Sequence, residues 1–283
     1  MLWIINTIAH MVARLPERVV VRGARALTIL SYDILRLRRS TILKNLHIAY
    51  GLERSSKELV EIGRESVFHF VLSFMEFLRS VKIDISAHTT IQDQHYLDEA
   101  LKQDRGAFIL CLHLGNWEAM GSVFTRHIRP AHVIVKKVGK GAFGRFVDEQ
   151  RAKNDFLAIG RNARGDGFRA IRRILEDKEI VGFVIDQARP GEPKLPFFGQ
   201  DAKTNTSFAS LWRRYRAPIV PAFMRRESLG HHVLTFLPPL ELERTKDRES
   251  DVLAHSVAFN QVAERMINLC PHQYFWLHDR WKA

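Results

Sequence analysis

Residues 107–112, Ala-Phe-Ile-Leu-Cys-Leu, form an unbroken apolar run opened by Gly106 and closed by His113. A run this long without polar alternation suits a strand buried on both faces of a parallel sheet. An imidazole therefore stands at the carboxyl end of a core strand. In open α/β sheets ligands bind along that edge, because the strands stop there, helix N-termini point inward and loops carry polar groups. Residues 180–185 repeat the pattern and end in Asp186-Gln187. Two strands delivering polar groups to one edge favour a site, with Asp186 as a simple turn cap the plainer alternative.

Glu118 lies five residues beyond His113, past Gly115-Asn116, and is expected in the first turn of the next helix. A carboxylate so placed is predicted to fold back onto the ring, fix its tautomer and stabilise the imidazolium. The other ring nitrogen is then free to take a proton from a hydroxyl. An idle surface histidine on a capped strand end is the reading to beat.

Beyond residue 105, short apolar segments at 107–112, 131–138, 180–185, 218–224 and 232–237 are separated by helical patterns at 118–127, 143–153, 166–176, 206–215 and 250–269. This alternation predicts an α/β fold, a largely parallel central sheet flanked by helices. At 46% apolar the chain of 283 residues can bury a sizeable core. No repeat or long linker interrupts it, so 105–283 reads as the α/β core and 1–104 as an N-terminal helical addition, the two forming one continuous domain. Cys111 falls inside the apolar run and Cys270 precedes Pro271. Neither offers metal-ligand spacing or a disulfide framework, and both are expected as buried thiols in a reducing compartment.

Residues 1–13 are mostly apolar, and Arg14, Glu17, Arg18, Arg22 and Arg25 follow in quick succession. That stretch is too short to span a bilayer and has no basic leader or small-residue cleavage site. It suits a helix lying in a membrane interface with Trp3 near the headgroups, or equally a helix packed on its own core. Ser55-Ser56-Lys57-Glu58 carries a capping signal for the long helix that follows. Residues 68–78 of that helix are apolar nearly all round, as a core helix or one touching acyl chains would be, and Glu76 within them requires a partner.

The formal net charge is +12, which draws a chain toward polyanions such as an anionic membrane face or phosphorylated ligands. The positive residues are dispersed and no helix-turn-helix, zinc-finger or RNP-like motif occurs, which argues against nucleic acid. Gly139-Lys-Gly141-Ala-Phe-Gly144 matches G-x-G-x-x-G. Lys136 and Lys137 precede it and no strand ending in an acidic residue follows at the spacing ribose recognition needs, so a glycine connection is favoured over a nucleotide loop. Arg151 sits on the next helix and by itself reads as solvated surface.

His113-Leu-Gly-Asn-Trp-Glu118 resembles the His-x4-Asp/Glu motif of the lysophospholipid acyltransferase superfamily, in the form used by bacterial lipid A biosynthesis acyltransferases. The resemblance extends through Leu43-Lys44-Asn45-Leu46, Asp186-Gln187, Pro196-Phe197-Phe198-Gly199, Lys203-Thr204-Asn205-Thr206 and Pro271-His-Gln-Tyr-Phe-Trp-Leu-His-Asp-Arg280. His272 stands where Glu is common in that family. The resemblance implies transfer of a fatty acyl group from acyl-carrier protein or acyl-CoA, with no further cofactor and no metal, to a hydroxyl of a membrane glycolipid. The glycolipid implied is a lipid A precursor, and the place implied is the cytoplasmic face of the bacterial inner membrane, with the protein peripheral or anchored through its N-terminus.

On this reading His113 is the general base, and Glu118 holds it. Backbone donors near Gly115 and Asn116 stabilise the oxyanion. Arg151 pairs with a phosphate of acceptor or donor, while Asp186 and Gln187 bind substrate. With no Gly-x-Ser-x-Gly elbow and Cys111 in the core, direct transfer is expected instead of an acyl-enzyme. A nonenzymatic peripheral protein that binds anionic lipid through its basic N-terminal helices is the alternative.

Overall fold

The computed structural model describes residues 1–135, 138–160, 166–187 and 190–282; Lys136 and Lys137 of the glycine-loop argument, and Arg189, lie outside them. Four helices come first, α1 (Leu2–Arg14), α2 (Glu17–Thr28), α3 (Arg39–Tyr50) and α4 (Ser56–Arg79), with a π turn at Ile29–Ile34 extending α2. Next are β1 (Thr89–Gln92), α5 (His95–Leu101), β2 (Ala107–Cys111), α6 (Trp117–His127), β3 (Ala131–Val135), α7 (Ala142–Lys153), β4 (Leu157–Gly160), α8 (Asp166–Glu176) and β5 (Ile180–Val184). A hairpin of β6 (Lys194–Phe197) and β7 (Gln200–Lys203) leads to α9 (Ser207–Tyr215), β8 (Ile219–Ser228), β9 (His231–Phe236) and α10 (Arg248–Leu269).

One seven-stranded sheet runs β1-β9-β8-β2-β5-β3-β4. Every neighbouring pair is parallel except β8 and β9. The expected α/β class, with a largely parallel sheet between helices and further helices at the N-terminus, is what the chain adopts. β2 lies at the middle, and every residue of it is buried. Phe108 and Leu110 pack toward α8, α9 and α10, while Ala107, Ile109 and Cys111 pack toward α5 and α6. Both thiols are free and buried.

α4 opens with the anticipated capping box, in which Ser55 Oγ accepts from the Glu58 N–H while the Glu58 carboxylate accepts from the Ser55 N–H at 2.8 Å. One face of α4 buries Phe68, Leu72 and Leu78, while Phe70 and Phe74 on another remain exposed. The greasy helix thus has both a core face and a bare one. α1 lies against α4 and α7 and buries only Ala9, leaving Trp3, Ile4, Ile8 and Met11 exposed.

Distant motifs meet around the C-terminal segment. The Asn45 amide, at the centre of Lys44-Asn45-Leu46, donates to the carbonyls of Trp276 and His278 at 2.9 and 2.7 Å. Pro196-Phe197-Phe198-Gly199 forms the tip of the β6–β7 hairpin, with Phe198 and Gly199 both at positive φ, 50° and 69°. This is the pattern of a two-residue mirror-image turn. Phe197 stacks on Trp281 at 5.3 Å and carries the Arg280 guanidinium over its face. Asn45→Ala strips one buried and one partly buried carbonyl of their donor and is expected to lower stability by about 2 kcal/mol, read as a reduced denaturation midpoint with an unchanged slope.

Candidate active site

In the β2–β5 pair Cys111 stands opposite Val184. Two residues further along both strands the same register sets His113 beside Asp186. The ring Nδ1 of His113 is 2.8 Å from Asp186 Oδ1, and the His113 backbone N–H donates to Oδ2 at 3.2 Å. Asp186 is buried whereas the His113 side chain keeps 22% of its exposure. The carboxylate thus grips one ring nitrogen and leaves the other for a ligand.

Burial alone would depress the His113 pKa, but the charge and hydrogen bond of Asp186, and more weakly the charge of Glu118, outweigh it and hold the imidazole above its ordinary value. Burial likewise pushes Asp186 up, and His113 overrides it, keeping the carboxyl below the usual range. Tyr274, whose hydroxyl faces Asp186, is raised well above a normal phenol by burial and by that charge.

Glu118 does not fold onto the ring. It points from the first turn of α6 to α7, where Arg151 grips it through Nε and through Nη2 at 3.0 Å. The expected role of Glu118 passes to Asp186 because adjacent parallel strands end side by side, whereas a residue on the first turn of α6 faces the neighbouring helix. The Arg151 guanidinium, anticipated on a phosphate, makes its two-pronged contact here with Glu118.

The oxyanion donors expected at Gly115 and Asn116 are also spent. The Gly115 N–H donates to the Gln273 carbonyl and the Asn116 N–H to the Met224 carbonyl, each at 3.0 Å. Asn116 serves as the N-cap of α6, its Oδ1 accepting from the Ala119 N–H at 3.0 Å. Gly115 has a φ of +63°, and a Cβ there would lie 1.7 Å from the Met224 oxygen, so only glycine fits. Two segments flank the loop: β8 on one side, and on the other the C-terminal segment, where Phe275 N–H donates to the His113 carbonyl at 3.0 Å.

A cavity reaches this edge. β3 and β5 pair only as far as Val133 and Gly182, although β3 runs on to Val135 and β5 to Val184. The strands part there, and a space of about 410 Å³ lined by Val133, Gly182, Val184, Phe168 and Phe208 extends to His113, Trp117 and Gln187. Trp117 lies edge-on to the His113 ring at 5.1 Å, with Phe275 6.0 Å from both. Cys111 lines the cavity too; its thiol donates to the Phe183 carbonyl, and burial pushes its pKa up, which suppresses the thiolate. The glycine loop has a structural use, since a Cβ on Gly144 would come within 2.1 Å of the Val138 oxygen. Among the described residues no cluster of His, Cys, Asp or Glu could hold a metal ion.

A family model for bacterial lipid A biosynthesis acyltransferases matches residues 1–283. The chain belongs to this family. It is 25% identical over 191 residues to the lipid A biosynthesis palmitoleoyltransferase of Escherichia coli (strain K12), and to the same extent to the lipid A biosynthesis acyltransferase of Shigella flexneri. Each match covers 66% of this chain and 59% of the relative.

Sequence reasoning placed His113, Asp186 and Gln187 at one edge, and Glu118 and Arg151 nearby. It missed Asp186 as the ring partner, and it missed Trp117, Tyr274 and Phe275. The signal for the first was present: both apolar runs are six residues long, so aligning them sets residue 113 against 186. For the pair itself, the His113 contribution to stability is in place below the ordinary imidazole pKa and lost as pH rises through the raised one. The Asp186 contribution is lost as pH falls through its depressed value. An NMR titration should show His113 titrating above an ordinary histidine, and Asp186→Asn should bring its pKa down.

Proposed function

We propose that the protein transfers a fatty acyl chain from an acyl thioester, carried by acyl-carrier protein or coenzyme A, to a hydroxyl of a membrane glycolipid, a lipid A precursor. One observation carries this reading: a partly exposed imidazole, poised by a buried carboxylate, at the end of an apolar cavity. Such a cavity accepts an alkyl chain through burial of its methylenes, each worth about 0.8 kcal/mol. Family membership supports the same chemistry.

His113 takes the proton of the acceptor hydroxyl on the nitrogen that Asp186 leaves free. The hydroxyl oxygen attacks the thioester carbonyl, the tetrahedral intermediate collapses and the carbon–sulfur bond breaks. The imidazolium then returns its proton to the departing thiolate, so ester and thiol form with no net proton change. Asp186 stabilises the transient imidazolium. The Trp117 and Glu118 N–H groups occupy the first two positions of α6, where an intrahelical partner is lacking, and we assign them as donors to the developing oxyanion. Glu118 and Arg151 shape the wall between this edge and α7. Transfer is direct, because the thiol at the site is Cys111, committed to the Phe183 carbonyl.

The protein meets its acceptor at an anionic membrane surface, the cytoplasmic face of the inner membrane. Trp3, Ile4, Ile8 and Met11 on α1, and Ile34, Leu35 and Leu37 at the end of the π turn and just beyond it, are exposed, as are the neighbouring Arg14, Arg18, Arg22, Arg36 and Arg38 in the sequence. Apolar groups among cations suit insertion at a headgroup boundary. Among the described residues no helix is long and apolar enough to cross a membrane, and attachment through these groups is peripheral.

His113→Ala is expected to lower thiol release from an acyl thioester in the presence of acceptor by about a thousandfold, with the fold retained by circular dichroism. Folded His113→Ala protein with ordinary turnover would refute the base. For the wild type, the rate should rise with pH through a value above the ordinary imidazole pKa, since neutral His113 is the active form. Asp186→Asn should move that limb to lower pH while reducing the plateau.

A further inference from the structure

The buried carboxylate of Glu76 sits outside the reacting groups, yet it is one of the most heavily bonded side chains in the molecule. Arg226 donates to it through Nε at 3.0 Å and Nη2 at 2.7 Å, and both side chains are 1% exposed. The Gly230 N–H adds 2.9 Å to Oε1, and the Asn116 amide adds 2.7 Å to Oε2. His232 Nε2 lies 3.3 Å from Oε2. Burial alone would raise the Glu76 pKa, but Arg226 and His232 hold it far below the usual carboxylate range.

Such a pair is weak evidence for stability, since removing two charges from water costs about as much as their attraction returns. Its value lies in direction. Asn116 caps the helix that begins beside His113, and its amide is aimed at Glu76. One residue earlier, the Gly115 carbonyl accepts from Ser73 Oγ at 3.1 Å, and Ser73 in turn accepts from Arg226 Nη2 at 2.7 Å. On the far side, Arg226 and Gln273 exchange two hydrogen bonds of 2.8 Å, and the Gln273 carbonyl receives the Gly115 N–H. The two residues after Leu114 are thus clamped from α4, β8 and the C-terminal segment by one ionic centre.

We infer that Glu76, through the amide of Asn116 and with Arg226 as counter-ion, is the positioning residue that sets the His113 loop for acyl transfer. Glu76 touches no reacting atom. It fixes where the loop leaves β2 and where α6 starts, and so the angle at which the ring meets Asp186 and the oxyanion donors. Displacement of a reacting group by about 1 Å costs as much as a hundredfold in rate. The inference rests on the acyl-transfer reading for its kinetic consequence, while the geometry of the ring has its own readout.

Substitution at Asn116 separates positioning from capping. As helix caps Asn, Asp and Ser are nearly equivalent, so a role limited to α6 leaves the three alike. Asn116→Ser retains a capping oxygen but loses the donor to Glu76; Asn116→Asp retains the cap and sets a second carboxylate against Glu76. Turnover in purified protein with a saturating acyl thioester and lipid acceptor is expected to fall about tenfold for Asn116→Ser and about a hundredfold for Asn116→Asp. KM for the thioester should stay within about twofold.

In the same variants the His113 titration by NMR should drop toward the ordinary imidazole pKa as the ring loses its alignment with Asp186. Unchanged kcat and unchanged His113 titration in folded Asn116→Ser protein overturn the inference. So does an Asp variant equal to the Ser variant. A wild-type enzyme that transfers no acyl group defeats the functional reading alone, and the titration still decides the positioning role.

Discussion

The parallel pairing of β2 with β5 is the constraint on which the rest depends. Six apolar residues in each strand end at the same level, and the first polar residue of each, His113 and Asp186, meet without any loop having to bring them together. Both strands are locked from two sides, β2 by β5 and β8 and β5 by β2 and β3. The sheet therefore brings imidazole and carboxylate side by side, and the clamped loop beyond β2 sets the angle of the ring. A site on strand ends tolerates less slack than one on loops, and transfer within a complex of two substrates needs that precision.

The cavity follows from the same pairing. Where β3 ceases to pair with β5 beyond Val133, the sheet stops being a continuous wall and becomes a cleft with apolar sides. The polar edge and the apolar depth are thus two parts of one strand, separated by a few residues. On the proposed function, a thioester with its carbonyl at His113 has its chain directed along the parted strands. Exposed apolar groups of α1 and α4, by contrast, belong to the outside of the molecule.

Much of this was legible in the chain. The apolar runs at 107–112 and 180–185 marked buried strands because period and length agree, and Ser55 with Glu58 marked a helix start that formed as drawn. Less was legible where the decisive contact was distant. Glu118 looked like the partner of His113 because it was near in sequence, but α6 turns it toward Arg151 on α7, and helix azimuth relative to a neighbour is set by packing. The Gly115 and Asn116 amides looked free because Met224 and Gln273, which take them, lie more than a hundred residues away. Thr89–Gln92 gave no strand signal, for it is a polar edge strand paired with β9 alone. Glu76 could be seen to require a partner, while nothing short of tertiary structure identifies Arg226.

The strand-like contact of residues 273–275 with the His113 loop has a consequence for biosynthesis. Residue 113 leaves the ribosome long before residue 273 does, and a domain folds as a unit. Until the later segment arrives, the Gly115 N–H and the His113 carbonyl lack their partners, so the loop after β2 is completed only once residues 273–275 are made.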